Sequence, residues 1–100
     1  MLFLLDVRIE PKDMSFDELW DLWEKETEAA AEAKAAGKIV DLWKVVGQRR
    51  IVAVVDVASH DELDQFLMAA MPMAHNLEFV QVLPLRAYES FATDVRKRWQ

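Results

Sequence analysis

The chain has 100 residues, 53% of them hydrophobic, with 2 Gly, 3 Pro, no Cys and a formal net charge of -6. This length suits one domain, and the acidic balance argues against nucleic acid as the expected partner, since binding phosphates needs a basic surface. Without cysteine, disulfides, thiolate metal sites and a Cys nucleophile are excluded and the chain is compatible with a reducing cytoplasm, while no run approaches the roughly 18 to 20 apolar residues of a membrane span.

The opening MLFLL is too short for a signal peptide and meets Asp6 at once. Residues 2 to 9, LFLLDVRI, alternate Phe3, Leu5, Val7 and Ile9 against Leu2, Leu4, Asp6 and Arg8, which predicts a strand with one fully apolar face and one mixed face. Pro11 ends it. Ser15 followed by Glu18 has the spacing of a capping box, and the acidic first turns suit the helix dipole. The helix then runs through an alanine-rich stretch to a stop at Gly37.

On a wheel of about 100° per residue, Phe16, Leu19, Leu22, Trp23, Ala30 and Ala33 form the apolar stripe of this helix, with Asp17, Asp21, Glu24, Glu28 and Glu32 opposite. Glu26 falls inside the stripe, so the helix carries a carboxylate toward the interior or a cleft. Two readings follow. An acid desolvated by apolar neighbours has a raised pKa and can exchange protons near neutral pH; alternatively, Glu26 reaches past the stripe edge or is held in a structural ion pair by an Arg or Lys.

Lys38 to Val46 and Arg49 to Val57 are β-branched and aromatic enough for two strands, joined at Gly47 and Gln48 as a hairpin. Ser59 and Glu62 repeat the capping signal and open a helix through about Ala70, with Leu63, Phe66 and Leu67 facing inward and Pro72 ending it. Leu77 to Leu85 alternates again, and Pro84 implies that the far end of this strand lies at an edge or stops pairing. The tail from Tyr88 to Gln100 predicts a terminal helix carrying Phe91, Val95 and Trp99.

The order is β-α-β-β-α-β, the ferredoxin-like α+β arrangement: a four-stranded antiparallel sheet with two helices on one face, followed by the C-terminal helix. Residues 1–100 form a single domain, with a core over 1–86 and a helical tail over 87–100. Leu2, Leu4, Val52, Val54 and Trp43 then make the uncovered sheet face too apolar for water. Back-to-back packing of two sheets would bury it, which predicts a homo-oligomer, a dimer at least.

Several other residues are candidates. Lys44, on the strand after the first helix, could neutralise Glu26, bind an anion or simply be solvated. His75 follows Pro72 on the loop before the last strand, where it could line a pocket, and His60 reads as a surface residue at a helix start. The two histidines lack metal-ligand spacing. Trp20, Trp23 and Trp43 could form an aromatic wall or ordinary core, and Met68, Met71 and Met73 an adaptable pocket or gap-filling core. No phosphate-binding glycine loop, G-x-S-x-G or Ser-His-Asp set supports a nucleotide-binding or hydrolase reading.

The opening MLF, Glu26 in the first helix, Gly37 at its end, Leu42, Trp43, Lys44, Val45, Val46 and Gly47, then Val55, Asp56 and Val57 before a serine-capped helix, and LMAAMPM around Met71 and Pro72 occur in an order and spacing that resembles the muconolactone isomerase family. The resemblance runs to about Leu85. It implies a cofactor-free isomerase of aromatic-ring degradation that moves a proton along a carboxylated lactone, turning muconolactone into the 3-oxoadipate enol-lactone, and that assembles as a ring of dimers. It also implies that Glu26 is the acid–base residue, with Trp43 as pocket lining. Where that family carries a Tyr two residues, and an Asn four residues, after the motif glycine, this chain has Arg49 and Ile51. Arg49 could hold a substrate carboxylate or enolate by charge-assisted hydrogen bonds; Ile51 could not. The alternative is a non-catalytic or differently tasked relative that binds a small aromatic or polyketide-like ligand, including cofactor-independent oxygenation or dehalogenation on the same scaffold.

Overall fold

The computed structural model describes residues 1–98. Strands β1 (Leu2–Ile9), β2 (Ile39–Lys44), β3 (Arg50–Asp56) and β4 (Leu77–Leu85) form one antiparallel sheet in the order β2-β3-β1-β4. Helices α1 (Phe16–Ala35) and α2 (His60–Gln65) lie in the two crossovers, and α3 (Tyr88–Lys97) follows the last strand. This is the ferredoxin-like arrangement that the order of patterns predicts.

The alternation in β1 decides which face becomes the core. Phe3, Leu5, Val7 and Ile9 are all buried, and antiparallel pairing sets Phe3 against Val55, Leu5 against Ala53 and Val7 against Ile51 on the same face. Phe3, Leu5, Ala53 and Val55 join Ile39, Val57 and Leu63 in the main cluster, with Ala30 and Ala33 of α1 packed on it. A second cluster, Ile9, Leu19 and Met73, closes the other end beneath Met14, Leu22 and Trp23.

Local chemistry fixes the ends of α1. The Ser15 hydroxyl accepts from the Glu18 amide while the Glu18 carboxylate accepts from the Ser15 amide, each at 3.2 Å, so the predicted capping box is complete. At the other end the amides of Gly37 and Lys38 donate to the carbonyls of Lys34 and Ala33, the two bonds of a Schellman cap, with Gly37 at φ +81° where a side chain would be strained. Phe16 departs from the expected stripe: it is 65% exposed, because the stripe meets the core only from Leu19 onward, and the Arg49 guanidinium covers its ring at 5.4 Å.

The second helix is α-helical only to Gln65 and then widens into a π-turn over Phe66–Ala70, followed by a 3₁₀ turn at Ala74–Asn76. The helix expected through about Ala70 therefore reaches that residue, with its last five residues in π rather than α geometry. Strand β4 is an edge strand, where Pro84 is tolerated and pairing continues to Leu85 opposite Leu2. Helix α3 ends at Arg98, φ +55°; Trp99, expected on its apolar face, lies outside the described residues.

Among the described residues no helix covers the sheet's other face. Leu2, Leu4, Val52 and Val54 are half-buried there, and Asp6, opposite Val52, makes a two-pronged bond with Arg50 at 2.8 and 2.6 Å. The hydrogen bond from Arg50, reinforced by its charge, holds the Asp6 carboxyl below the usual range against the cost of burial.

Candidate functional site

Between α1 and the sheet lies an apolar cavity of about 760 Å³. Leu5, Val7, Ile51 and Ala53 form its floor, Trp23, Ala30 and Ala31 its roof, and Phe66, Leu67 and Met71 its far wall. The alanines account for the room. A larger side chain at Ala30 or Ala53 would fill space that close packing otherwise eliminates. Trp20 and Trp23 stack at a centroid distance of 5.7 Å on the same lining, and Trp20 is more than half exposed, so the pair marks the side open to solvent.

Glu26 borders this cavity from α1, one helical turn from Trp23 and Ala30. Its Oε2 accepts a hydrogen bond of 3.0 Å from the backbone N–H of Met73, and among the described residues it makes no ion pair. Burial raises its pKa above the ordinary carboxyl value, and the Met73 N–H only partly offsets that rise. Of the two readings open at the sequence level, the ion pair is absent. The result is a half-buried acid aimed at an apolar space, with one oxygen anchored by the backbone.

The other charged groups on the lining are Glu24 and Lys34 on α1 and Lys44 at the end of β2. Lys34 is engaged by Asp41 at 3.1 Å. Lys44 donates to the carbonyl of Val45 at 2.9 Å and has no carboxylate partner among the described residues, so its charge is available to an anion in the cavity.

The structure brings Glu26, Lys44 and Trp43 to one cavity, with Trp43 at its rim, since pairing with Val52 directs that side chain toward the helix-free face. Arg49 and His75 are not on the lining. The Arg49 guanidinium is turned to Phe16, and the exposed His75 offers its backbone carbonyl to Lys12. Ile51 does line the cavity. Sequence reasoning missed Ala53, Thr27 and the Met73 amide. Ala53 could have been found as a small residue at a core-facing strand position, whereas a backbone donor brought in by a loop leaves no mark in sequence.

With this geometry in place, comparisons with known proteins converge. The family model described as Muconolactone delta-isomerase matches residues 1–91, reaching into α3. The Muconolactone Delta-isomerase of Cupriavidus pinatubonensis (strain JMP 134 / LMG 1197) is 33% identical over 92 residues, 90% of this chain and 97% of that protein. The crystal structure of a muconolactone isomerase superposes with a TM-score of 0.69 at 26% identity, over 87% of this chain and 90% of that one.

Proposed function

Because the chain belongs to the muconolactone delta-isomerase family, we propose that it isomerises a small carboxylated lactone of the muconolactone type by intramolecular proton transfer, without a cofactor, in the breakdown of aromatic compounds. The observation that carries this reading is Glu26, an unpaired acid with a raised pKa on the wall of an apolar cavity. Ionised, it removes a proton from the carbon next to the lactone's conjugated system. The bonding pair moves into the ring as an enolate, and Glu26 returns the same proton two carbons away, so atoms and charge balance with no other reactant. Lys44 holds the substrate's carboxylate or offsets the enolate charge, and the Trp20–Trp23 side offers flat apolar surface to the ring, with Trp43 at the rim.

The helix-free sheet face supports a second element of the proposal, self-association as a dimer or a ring of dimers through Leu2, Leu4, Val52 and Val54, which lie half-buried in the single chain.

Ile51 on the lining and Arg49 turned away from it favour a second reading. Two positions that are polar in the family pattern give the cavity no polar group here, so its ligand is less polar at that end, and the chain is then a differently tasked relative binding a small aromatic molecule. Ultraviolet absorbance of muconolactone with the purified protein, and with Glu26→Gln beside it, decides between them. Turnover lost in the variant supports the isomerase; no turnover by the wild type sinks it and leaves the binding reading.

A further inference from the structure

Asn76 is one of two buried polar side chains among the described residues and stands outside the cavity lining. Its Nδ2 donates to the carbonyl of Glu10 at 2.9 Å, while its own carbonyl accepts from the Glu10 amide at 2.7 Å. Both backbone groups of Glu10, the residue just past β1, are thus taken by one asparagine. The Asn76 amide in turn donates to the Met73 carbonyl at 2.8 Å, closing the 3₁₀ turn. Met73 is fully buried against Ile9 and Leu19, so its side chain and its carbonyl are both held. The group left to point outward is its N–H, and that N–H is the one bonded to Glu26.

We propose that Asn76 is a positioning residue for Glu26: by clamping the Ala74–Asn76 turn onto the end of β1 it holds the Met73 N–H where it fixes one carboxylate oxygen, leaving the other for the substrate. The functional part of this inference rests on the acid–base reading of Glu26; the geometric part does not. The segment carrying the clamp follows the π-turn Phe66–Ala70, and Phe66 and Leu67 of that turn, with Met71 just after it, line the cavity. A second, exposed tie runs from the Lys12 ammonium to the carbonyl of His75 within the same turn. The charged groups that share the cavity with Glu26 are Glu24 and Lys34 from α1 and Lys44 from β2, while Lys12 and His75 lie on the clamp side. None of them changes identity when Asn76 is replaced.

The test is a carbon-13 NMR titration of the Glu26 carboxyl in the full chain, assigned by its loss in Glu26→Gln, together with hydrogen exchange at the Met73 amide. With Asn76→Ala the Glu26 midpoint is expected to rise by about one pH unit as the hydrogen bond to the charged form is lost, and the Met73 amide to exchange at least about tenfold faster. Where lactone turnover is measurable, kcat falls with KM little moved and the acidic limb of the pH profile shifts upward with the NMR midpoint. An unchanged midpoint and unchanged Met73 exchange in folded Asn76→Ala overturn the proposal. Should that variant not fold, Asn76→Ser decides: it removes the Nδ2 donor to the Glu10 carbonyl while keeping a polar side chain, the same two readouts move in the same direction, and no movement overturns the proposal. A wild type that turns over no lactone yet shows the Asn76→Ala shifts would refute the isomerase reading and leave the clamp standing.

Discussion

The two faces of this sheet each bury a carboxylate, and they treat it in opposite ways. On the helix-free face Asp6 receives two hydrogen bonds from Arg50 and its pKa is lowered; on the helix-covered side Glu26 receives one backbone N–H, faces an apolar cavity, and its pKa is raised. Burial alone therefore does not decide the state of an acid. The partner does: a bidentate guanidinium makes the charged form an anchor between two strands, while a single neutral donor leaves the carboxyl able to take and release a proton.

Replacing each acid by its amide breaks the comparison most directly. Glu26→Gln is expected to lower turnover of the lactone by about 10²- to 10⁴-fold, the range for losing a general acid–base group, with the denaturation midpoint unchanged or raised. A variant that keeps its rate would end the role assigned to Glu26. Lys44→Met comes next, with KM raised about tenfold and kcat nearly unchanged if the lysine binds the carboxylate equally in ground and transition states; a fall in kcat alone would move Lys44 to the enolate. Asp6→Asn should lower the melting temperature by several degrees and leave kcat alone, because it leaves Arg50 without its partner. Arg49→Ala, whose guanidinium lies against Phe16 and away from the cavity, should change kcat/KM by less than about twofold. A larger loss would mean that Arg49 swings to the substrate on binding.

The pH dependence of stability sharpens the same contrast, since the two acids contribute with opposite signs. The folded value of Asp6 is below its ordinary 3.8, so its contribution is present above that value and is lost as pH falls through the folded pKa. For Glu26 the folded value is above its ordinary 4.5, so the relative stability is full below 4.5 and declines as pH rises through the folded pKa. Urea melts across this range should show the acid-side loss shrink in Asp6→Asn, the remainder belonging to Glu18 and Asp41, whose pKa values are also lowered by their hydrogen bonds, and the decline above 4.5 shrink in Glu26→Gln.

Much of this was legible because the relevant signals are local. Alternation in residues 2 to 9 fixed which face of β1 is apolar, Ser15 with Glu18 and Gly37 bounded α1, and the order of elements fixed the fold class. Glu26 stood out because a carboxylate within an apolar helical stripe contradicts the pattern around it. That test compares a residue only with neighbours on its own helix. It could not distinguish an ion pair from an isolated acid, because that depends on what other elements bring within 4 Å.

The tertiary structure decided the rest for the same reason. Arg49 and Lys44 are five residues apart in sequence and both cationic, yet one is turned to Phe16 and the other borders the cavity, an outcome of the hairpin's register and of where α1 begins to touch the sheet. Ala30, part of the apolar stripe of α1, and its neighbour Ala31 became cavity wall only when Ala53 faced them across the gap. The Met73 amide has no side-chain identity to read: it became a ligand of Glu26 because a π-turn, a 3₁₀ turn and Asn76 direct the backbone there. By itself the sequence determined the elements, the fold class and the identity of the unusual acid, since each follows from interactions within one segment. The partners of that acid, and the space in front of it, arise only where distant segments meet.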